Sequence, residues 1–183
     1  MKEVILDKPF ASEQEYFLFE EKSELKHEYI NGTLFEMSGT SKYHNFIVVN
    51  LVMLLKPLLA GTTKQLTLDG YKVRTPDGNF FYPGIAVSET GGHKYYTDEP
   101  ILVVEVLSGS TRRYDLSDKF IQYRKCPSLQ YYLCVEPAKR VIYFYHKADN
   151  NEWVVEEAFT DDDAVITLPA LNIALQLKDI YNS

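Results

Sequence analysis

The segment Ile101–Leu107 constrains the fold of this 183-residue chain more than any other, because it is an apolar strand that carries one carboxylate, Glu105. Its odd and even positions are both apolar, as expected of a central strand covered on both faces of a sheet. An ionised carboxylate buried without a partner is costly, so Glu105 should be protonated, paired with a cation, hydrogen-bonded or bound to a metal. Each of these states predicts a site around Glu105.

A polar turn and a helix follow this strand. The turn Ser108-Gly-Ser-Thr111 leads into a helix for which Asp115 is the expected N-cap. Asp115, Lys119 and Tyr123 are four residues apart, so they form one stripe along that helix. We therefore expect a carboxylate and an ammonium group to meet near the end of the strand that carries Glu105.

Helix and strand patterns alternate along the rest of the chain. A capping box at Ser12–Glu15 predicts a helix over about 13–22, and helical spacing of apolar residues predicts another from Tyr43 to Leu59. Asn31-Gly32 predicts a hairpin with a type I′ turn within 27–37. Further strands are predicted at 65–75 and 79–87 as a pair, at 129–135, 140–146 and 152–159 as antiparallel neighbours, and before a short terminal helix.

These patterns indicate an α/β or α+β fold with a mixed central β-sheet flanked by helices. The length fits one domain over residues 1–183. No apolar run approaches the roughly 20 residues of a membrane helix, and the N-terminal residues 1–8 lack the apolar core of a signal peptide. We therefore expect a cytoplasmic protein without a membrane partner, in which Cys126 and Cys134 stay reduced and serve in packing.

The charge balance limits the partners of the chain. A net charge of −7 argues against non-specific nucleic-acid binding through a broad basic surface. The segment Arg112–Lys125 differs, since it carries five basic and two acidic residues. It predicts either a small basic patch beside Glu105 or a solvated helix face.

Three segments of the chain form a recognisable set, namely Tyr82-Pro-Gly-Ile-Ala-Val87, Leu102-Val-Val-Glu-Val-Leu-Ser-Gly-Ser-Thr111 and Tyr114-Asp-Leu-Ser-Asp-Lys119-Phe-Ile-Gln-Tyr123. They resemble the Uma-two family of restriction-endonuclease-like proteins. The similarity extends to His27–Gly32, His44, Pro127–Gln130 and Ile180-Tyr181, and so spans nearly the whole chain. The resemblance implies a restriction-endonuclease-like fold of the PD-(D/E)XK superfamily and metal-assisted hydrolysis of phosphodiester bonds in DNA.

The resemblance also implies a set of site residues. Carboxylates at the ends of two adjacent strands hold Mg²⁺ in such sites, while a lysine orients the attacking water. Glu105 matches a metal ligand, and Lys119 matches a catalytic lysine supplied by the next helix, because Leu107 occupies the usual lysine position. Gly84 stands where the family has an aspartate, so Mg²⁺ binding is expected to be weak or absent. Asp69 is a candidate substitute ligand or a strand-edge residue.

Several roles stay open at this point. Glu28 is a candidate catalytic residue from the first hairpin, or a solvent-facing strand residue. His44 is a candidate contact to phosphate or water, or a helix-start packing group. Lys119 is catalytic, or it forms a structural ion pair with the strand carboxylate. Asp115 is a cap or a ligand, and Tyr123 is packed against the sheet or catalytic.

Two function classes follow from the resemblance and its departures. The first is a magnesium-dependent DNA endonuclease. The second is a catalytically inactive nuclease-fold protein that binds nucleic acid or protein. The aromatic pairs Tyr131–Tyr132 and Tyr143 with Tyr145, if exposed, predict a homodimer that reaches both DNA strands.

Overall fold

A six-stranded mixed sheet runs through the middle of the molecule. The computed structural model describes residues 2–4, 10, 12–37 and 39–182. The central sheet contains, in spatial order, β12 (Trp153–Val155), β11 (Ile142–Lys147), β10 (Tyr131–Val135), β9 (Pro100–Val106), β7 (Ile85–Glu89) and β4 (Lys64–Leu68). Strand β9 pairs in parallel with β10 and antiparallel with β7, and it therefore lies inside the sheet as its apolar sequence predicts.

A second sheet and a small ribbon complete the strands. The second sheet contains, in spatial order, β1 (Lys2–Val4), β3 (Thr33–Glu36), β2 (His27–Ile30), β6 (Phe80–Phe81), β5 (Lys72–Arg74) and β8 (Tyr96–Thr97). The ribbon pairs β13 (Val165–Leu168) with β14 (Ile173–Gln176) across the short 3-10 helix Pro169–Leu171.

The helices are α1 (Glu13–Glu20), α2 (Lys42–Leu58), α3 (Arg112–Tyr114), α4 (Phe120–Tyr123) and α5 (Leu177–Tyr181), with a π-helical turn, Asp115–Lys119, between α3 and α4. The predicted mixed sheet flanked by helices is confirmed.

Local signals explain why several of these elements form. The Ser12 hydroxyl accepts a hydrogen bond from the Glu15 amide at 3.3 Å, so α1 begins with the predicted cap. The hairpin of β2 and β3 turns at Asn31 and Gly32, whose φ angles are +49° and +84°. Two consecutive positive φ angles are the signature of the predicted type I′ turn.

The two faces of β9 pack against different elements. Leu102, Val104 and Val106 belong to a core cluster that also contains apolar residues of α2 and α5. Val103 and Leu107 belong to the cluster on the opposite face, which contains Phe120 and Tyr123. Because side chains alternate along a strand, Glu105 projects toward the helical segment 112–123 and not toward α2.

The two strand segments predicted at 65–75 and 79–87 do pair, but each is divided between the two sheets. Strand β4 pairs with β7 in the central sheet, whereas β5 pairs with β6 in the second sheet. The first segment breaks at Gly70, whose φ of +123° is strained for any side-chain-bearing residue, and the second breaks at Pro83-Gly84. The alternating pattern continues across both breaks, so the sequence did not reveal them.

The helix predicted to begin at Asp115 begins three residues earlier. Helical structure starts at Arg112, and Thr111 occupies the N-cap position without a side-chain capping bond. Asp115 is buried in the π-helical turn, so its interpretation as an N-cap is wrong. The helix starts early because the Ser108 hydroxyl accepts the Thr111 amide at 3.3 Å and thereby satisfies an early N–H group.

The tyrosines expected on an exposed dimer surface lie within the fold. Tyr131, Tyr132 and Tyr145 are buried against other parts of the same chain, and Tyr143 is partly buried. The expectation that these tyrosine pairs form an exposed surface is therefore wrong. The homodimer itself stays a prediction. Cys126 and Cys134 are buried and unbridged, as expected.

Among the described residues, no helix is long and apolar enough to cross a membrane. Residues 1 and 5–8 of the segment expected to lack a signal peptide lie outside the described part of the chain.

Candidate active site

A cavity of about 570 Å³ lies beside the C-terminal end of β9. Residues from separate parts of the chain line it, namely Lys26, His44, Asp69, Gly84, Glu105, Asp115 and Lys119, together with the loop Ser108–Gly109. The structure thus places most of the residues singled out from the sequence around one space. Glu28 adjoins it through Lys119.

Lys119 lies at the centre of an ion cluster. Its Nζ atom is 2.8 Å from Glu28 Oε1 and 3.0 Å from Glu105 Oε1, and it is 3.8 Å from Asp115 Oδ1. All four side chains are buried. The first two distances are those of charge-assisted hydrogen bonds, whereas the third is an ion pair without a hydrogen bond. Lys119 therefore joins the first hairpin to the central strand.

Glu28 is the most enclosed member of the cluster. Its side chain is 0% exposed, so the alternative that it faces solvent is wrong. Besides Lys119, Glu28 Oε1 accepts a hydrogen bond from the Tyr82 amide at 3.0 Å. Glu28 therefore connects the ammonium group to the backbone two residues before Gly84.

Tyr123 completes the cluster from the helix side. Its hydroxyl donates a hydrogen bond to Glu105 Oε1 at 3.0 Å, and both side chains are buried. Glu105 Oε1 thus accepts from Tyr123 and from Lys119 together. Packing and polar contact coexist at Tyr123, since its ring also lies 5.1 Å from that of Phe81.

The π-helical turn brings Asp115, Lys119 and Tyr123 onto one line. In a regular α-helix each step of four residues drifts by about 40°, so residues eight apart diverge by about 80°. A π-helical turn holds more residues per turn and reverses part of that drift. Asp115 and Tyr123 therefore both reach the Glu105 cluster, at 3.8 Å from Lys119 and 3.0 Å from Glu105 respectively.

Burial and charge shift the proton affinities of the cluster. Burial raises the pKa of Glu105 to about 8, with Lys119 opposing the rise and Asp115 and Glu28 adding to it. Burial lowers the pKa of Lys119, but the carboxylates of Glu105, Glu28 and Asp115 outweigh it, so the net pKa lies well above the ordinary value. Lys119 stays a cation, while Glu105 can hold a proton near neutral pH.

Gly84 lies across the sheet from Glu105. Ile85 is the partner of Val104 in the pairing of β7 and β9, and one further step of that register places Gly84 opposite Glu105. A Cβ atom added at Gly84 would lie 3.2 Å from the Val104 carbonyl oxygen and 3.7 Å from Val106 Cγ2. The two strands thus approach closely where a second metal-binding carboxylate is expected, and glycine supplies none.

The side chains around this cavity do not fit a chelated magnesium ion. Mg²⁺ requires near-octahedral oxygen coordination and is usually anchored by one or two carboxylates. Among the described residues, no group of three or more His, Cys, Asp or Glu side chains is arranged to hold a metal. Lys119 Nζ takes the position between Glu28 and Glu105, and Gly84 has no ligand atom.

Asp69, the candidate substitute, lies at the rim of the cavity. It is exposed, and its Oδ2 atom forms an ion pair with Lys26 at 2.9 Å. No hydrogen bond or ion pair joins it to Glu105 in the described part of the chain, although both line the cavity. The structure therefore brings Asp69 to the site without bringing it into the ion cluster.

His44 lies in the first turn of α2 and faces the same cavity. Its Nδ1 atom is buried without a hydrogen-bond partner among the described residues. Burial lowers its pKa, while Asp69 and Asp115 oppose that shift. A largely neutral imidazole at this position offers a donor or an acceptor to a group in the cavity.

Three of the five basic residues of 112–125 are buried or paired with acidic residues. Lys119 is buried, Arg112 contacts Glu136 at 2.6 Å, and Lys125 pairs with Asp77. Sequence reasoning missed Lys26 and the Ser108–Thr111 loop as cavity walls. The small polar residues after β9 were the available signal for the loop.

Comparison with known proteins identifies the family. A family model described as "Uma2: Putative restriction endonuclease" matches residues 13–178. The uncharacterized protein slr1290 of Synechocystis sp. is 36% identical over 177 residues, covering 94% of this chain and 92% of its own. A second uncharacterized Synechocystis protein, sll1609, is 28% identical over 149 residues, covering 78% and 84%.

A solved structure agrees in fold. A "putative nuclease belonging to DUF820" from Anabaena variabilis has a TM-score of 0.74 and 18% identity, and the likeness covers 91% of this chain and 96% of that chain. At this identity the likeness shows the fold alone, which is restriction-endonuclease-like. The family model spans most of the chain, and it shows that the chain belongs to the Uma2 family.

Proposed function

We propose that this chain is a DNA endonuclease of the restriction-endonuclease type whose phosphodiester hydrolysis is impaired, because residue 84 provides no magnesium ligand. The family supports nuclease chemistry, and the Glu28–Glu105–Lys119 cluster supports the position of the site. In this proposal Glu105 and Lys119 are the catalytic candidates. Glu28 holds Lys119 in place, and His44 faces the substrate phosphate across the cavity.

The absence of a side chain at Gly84 is the observation that supports this proposal. It lies opposite Glu105 in the register of β7 and β9, within the cavity, and has no side-chain oxygen. Two carboxylates on adjacent strands can share a metal ion because directly opposite Cβ atoms are about 4.5–5.5 Å apart. With only Glu105 in place, Mg²⁺ is expected to bind weakly, which would lower the rate of hydrolysis.

Cleavage of supercoiled plasmid DNA tests this proposal. We would compare the chain as it stands with Gly84→Asp, Gly84→Asn and Gly84→Asp/Glu105→Ala, each with Mg²⁺ and with EDTA. Gly84→Asn is the matched control because it adds the same Cβ beside the Val104 carbonyl oxygen and nearly the same volume, but no charge. We expect magnesium-dependent nicking by Gly84→Asp that exceeds the other three by at least about 100-fold, the scale of a lost electrostatic catalyst.

Two outcomes would contradict the proposal. Strong magnesium-dependent cleavage by the unchanged chain would mean that other groups replace the missing ligand. Absence of cleavage by Gly84→Asp, in a variant that folds, would remove the endonuclease assignment for this site.

A binding module of the same fold is the second candidate. It is favoured by the ion cluster itself, in which Lys119 supplies a permanent positive charge beside Glu28 and Glu105 and keeps the cavity formed without a metal. Fluorescence anisotropy of labelled DNA in EDTA distinguishes this candidate. Binding that is undiminished by Glu105→Ala, together with no cleavage by Gly84→Asp, would favour it. We also propose action as a homodimer, which a light-scattering mass near 21 kDa would contradict.

A further inference from the structure

We infer that Tyr123 is the positioning residue of the site, holding the Glu105 carboxyl group so that its second oxygen, Oε2, faces the cavity. The role rests on the proposed function, because it concerns the same carboxylate. One buried hydrogen bond, from the Tyr123 hydroxyl to Glu105 Oε1, supports this role.

The two oxygens of the Glu105 carboxyl group have different surroundings. Oε1 accepts the Tyr123 hydroxyl at 3.0 Å and lies 3.0 Å from Lys119 Nζ. Oε2 accepts no hydrogen bond from the described residues, and these residues do not fully bury it. Glu105 also lines the cavity. One oxygen is therefore fixed inside the fold, and the other is presented to whatever enters.

Lys119 alone does not fix the orientation of the Glu105 carboxyl group. Its ammonium group is shared between Glu28 and Glu105, and it sits at the end of a flexible side chain. Tyr123 has two side-chain torsions and a ring clamped against Phe81 and Tyr132, with ring centroids at 5.1 and 5.6 Å. Because the Tyr123 side chain is rigid, its hydroxyl group fixes the angle of the Glu105 carboxyl plane better than the Lys119 ammonium group does.

Tyr123 does more than fill space in the core. A phenylalanine would fill the same volume between Phe81 and Tyr132. The hydroxyl makes the difference, and in the described residues its hydrogen bond goes to Glu105. Removing partners that orient a metal-binding or catalytic group usually costs 10- to 100-fold in activity or metal affinity.

The test uses Tyr123→Phe with Tyr131→Phe as the matched control. Tyr131 is also a buried tyrosine, and its hydroxyl accepts a hydrogen bond from the Ala170 amide at 2.8 Å. It belongs to the core cluster on the opposite face of the central sheet, away from Glu105. Each variant loses one buried hydroxyl, so general destabilisation affects both.

We would make both changes in the Gly84→Asp background and measure plasmid cleavage. We expect Tyr123→Phe to lower kcat by at least about 10-fold with KM for DNA unchanged, and Tyr131→Phe to leave kcat within about 2-fold. An equal kcat in the two variants, or a change in KM alone, would overturn the role of Tyr123.

Crystal structures of the same two variants in the chain as it stands provide a readout that needs no activity. Rotation of the Glu105 carboxyl group away from the cavity in Tyr123→Phe, but not in Tyr131→Phe, is the expected result. An unchanged Glu105 would overturn the inference. Inactivity of Gly84→Asp itself would count against the proposed endonuclease while these structures still decide the role of Tyr123.

Discussion

Lys119 is the residue on which the buried carboxylates depend most. Its Nζ atom lies within 3.0 Å of Glu28 and Glu105 oxygens, and its side chain is 4% exposed. Removing one partner of a buried ion pair leaves uncompensated charge and costs about 3–5 kcal/mol. We expect Lys119→Met to lower the free energy of unfolding by that amount, measured by urea denaturation at pH 7.

Lys125→Met is the matched control for this prediction. Lys125 also pairs with an aspartate, Asp77, but both side chains are over one-third exposed. Exposed ion pairs contribute little, so a change of no more than about 1 kcal/mol is expected. Equal losses in the two variants would show that the buried cluster does not depend on its central cation.

Glu105 gives the stability of the fold a predictable pH dependence. Burial raises its pKa to about 8 from the ordinary value of 4.5, so between these values the folded chain keeps a proton that the unfolded chain releases. This stabilising contribution is complete below pH 4.5 and is lost as the pH rises through 8. Glu105→Gln carries no such proton, so its stability should fall less steeply over this range.

Urea denaturation between pH 5 and pH 9 measures this effect. We expect the stability of Glu105→Gln relative to the unchanged chain to rise with pH between about 5 and 8, by at most about 1.4 kcal/mol per pH unit. A constant difference across the series would show that Glu105 is ionised at pH 5 in the folded chain.

The hairpin of β2 and β3 is the element that delivers Glu28, and its turn can be tested in isolation. Gly32 has φ of +84°, whereas Gly39 does not have a positive φ, and a Cβ added at either would meet no atom within 4 Å. A side chain in the left-handed region costs about 1–2 kcal/mol. We expect Gly32→Ala to lose that amount in urea denaturation and Gly39→Ala to be neutral or slightly stabilising.

Local elements were predictable from the sequence because local physics specifies them. Asn31-Gly32 predicted the turn, and Ser12 predicted the start of α1, since both signals act over four residues or fewer. The π-helical turn was not predicted, because Lys119 within it contacts Glu105 and Glu28, which are distant in sequence. The division of segment 65–75 between two sheets was not predicted either, because strand pairing also depends on residues that are distant in sequence.

The candidate site was predictable in part for related reasons. A carboxylate in an apolar strand identified Glu105, and the four-residue stripe identified Lys119 and Tyr123 as neighbours of that strand. Glu28 lies on β2, and its buried side chain contacts Lys119 and the Tyr82 amide, which are both distant in sequence, so its burial was not predictable from local pattern. Asp69 was a candidate substitute ligand from the sequence, yet the fold leaves it exposed beside Lys26.

At the scale of the whole molecule, the change in Tm on adding Mg²⁺ should show whether the site binds the ion, without any measurement of cleavage. A ligand that binds only the folded state stabilises it by RT ln(1 + [L]/Kd), about 2.7 kcal/mol when the ligand is at 100 times Kd. For a chain of this length each kcal/mol raises Tm by about 2–4 °C. Because Gly84 supplies no ligand, we expect Mg²⁺ at about 10 mM to leave Tm of the unchanged chain within about 1 °C of its value in EDTA.

Gly84→Asp should behave differently, because it would place a second carboxylate opposite Glu105. In that variant we expect the same Mg²⁺ concentration to raise Tm by several degrees, and Gly84→Asn to show no such rise. Differential scanning calorimetry with Mg²⁺ and with EDTA makes the comparison. A large rise in the unchanged chain would mean that Glu28, Glu105 and Asp115 rearrange around a metal and displace Lys119 from its place between them. The ion cluster would then be a metal site in which Lys119 Nζ occupies the place of the ion when no metal is bound.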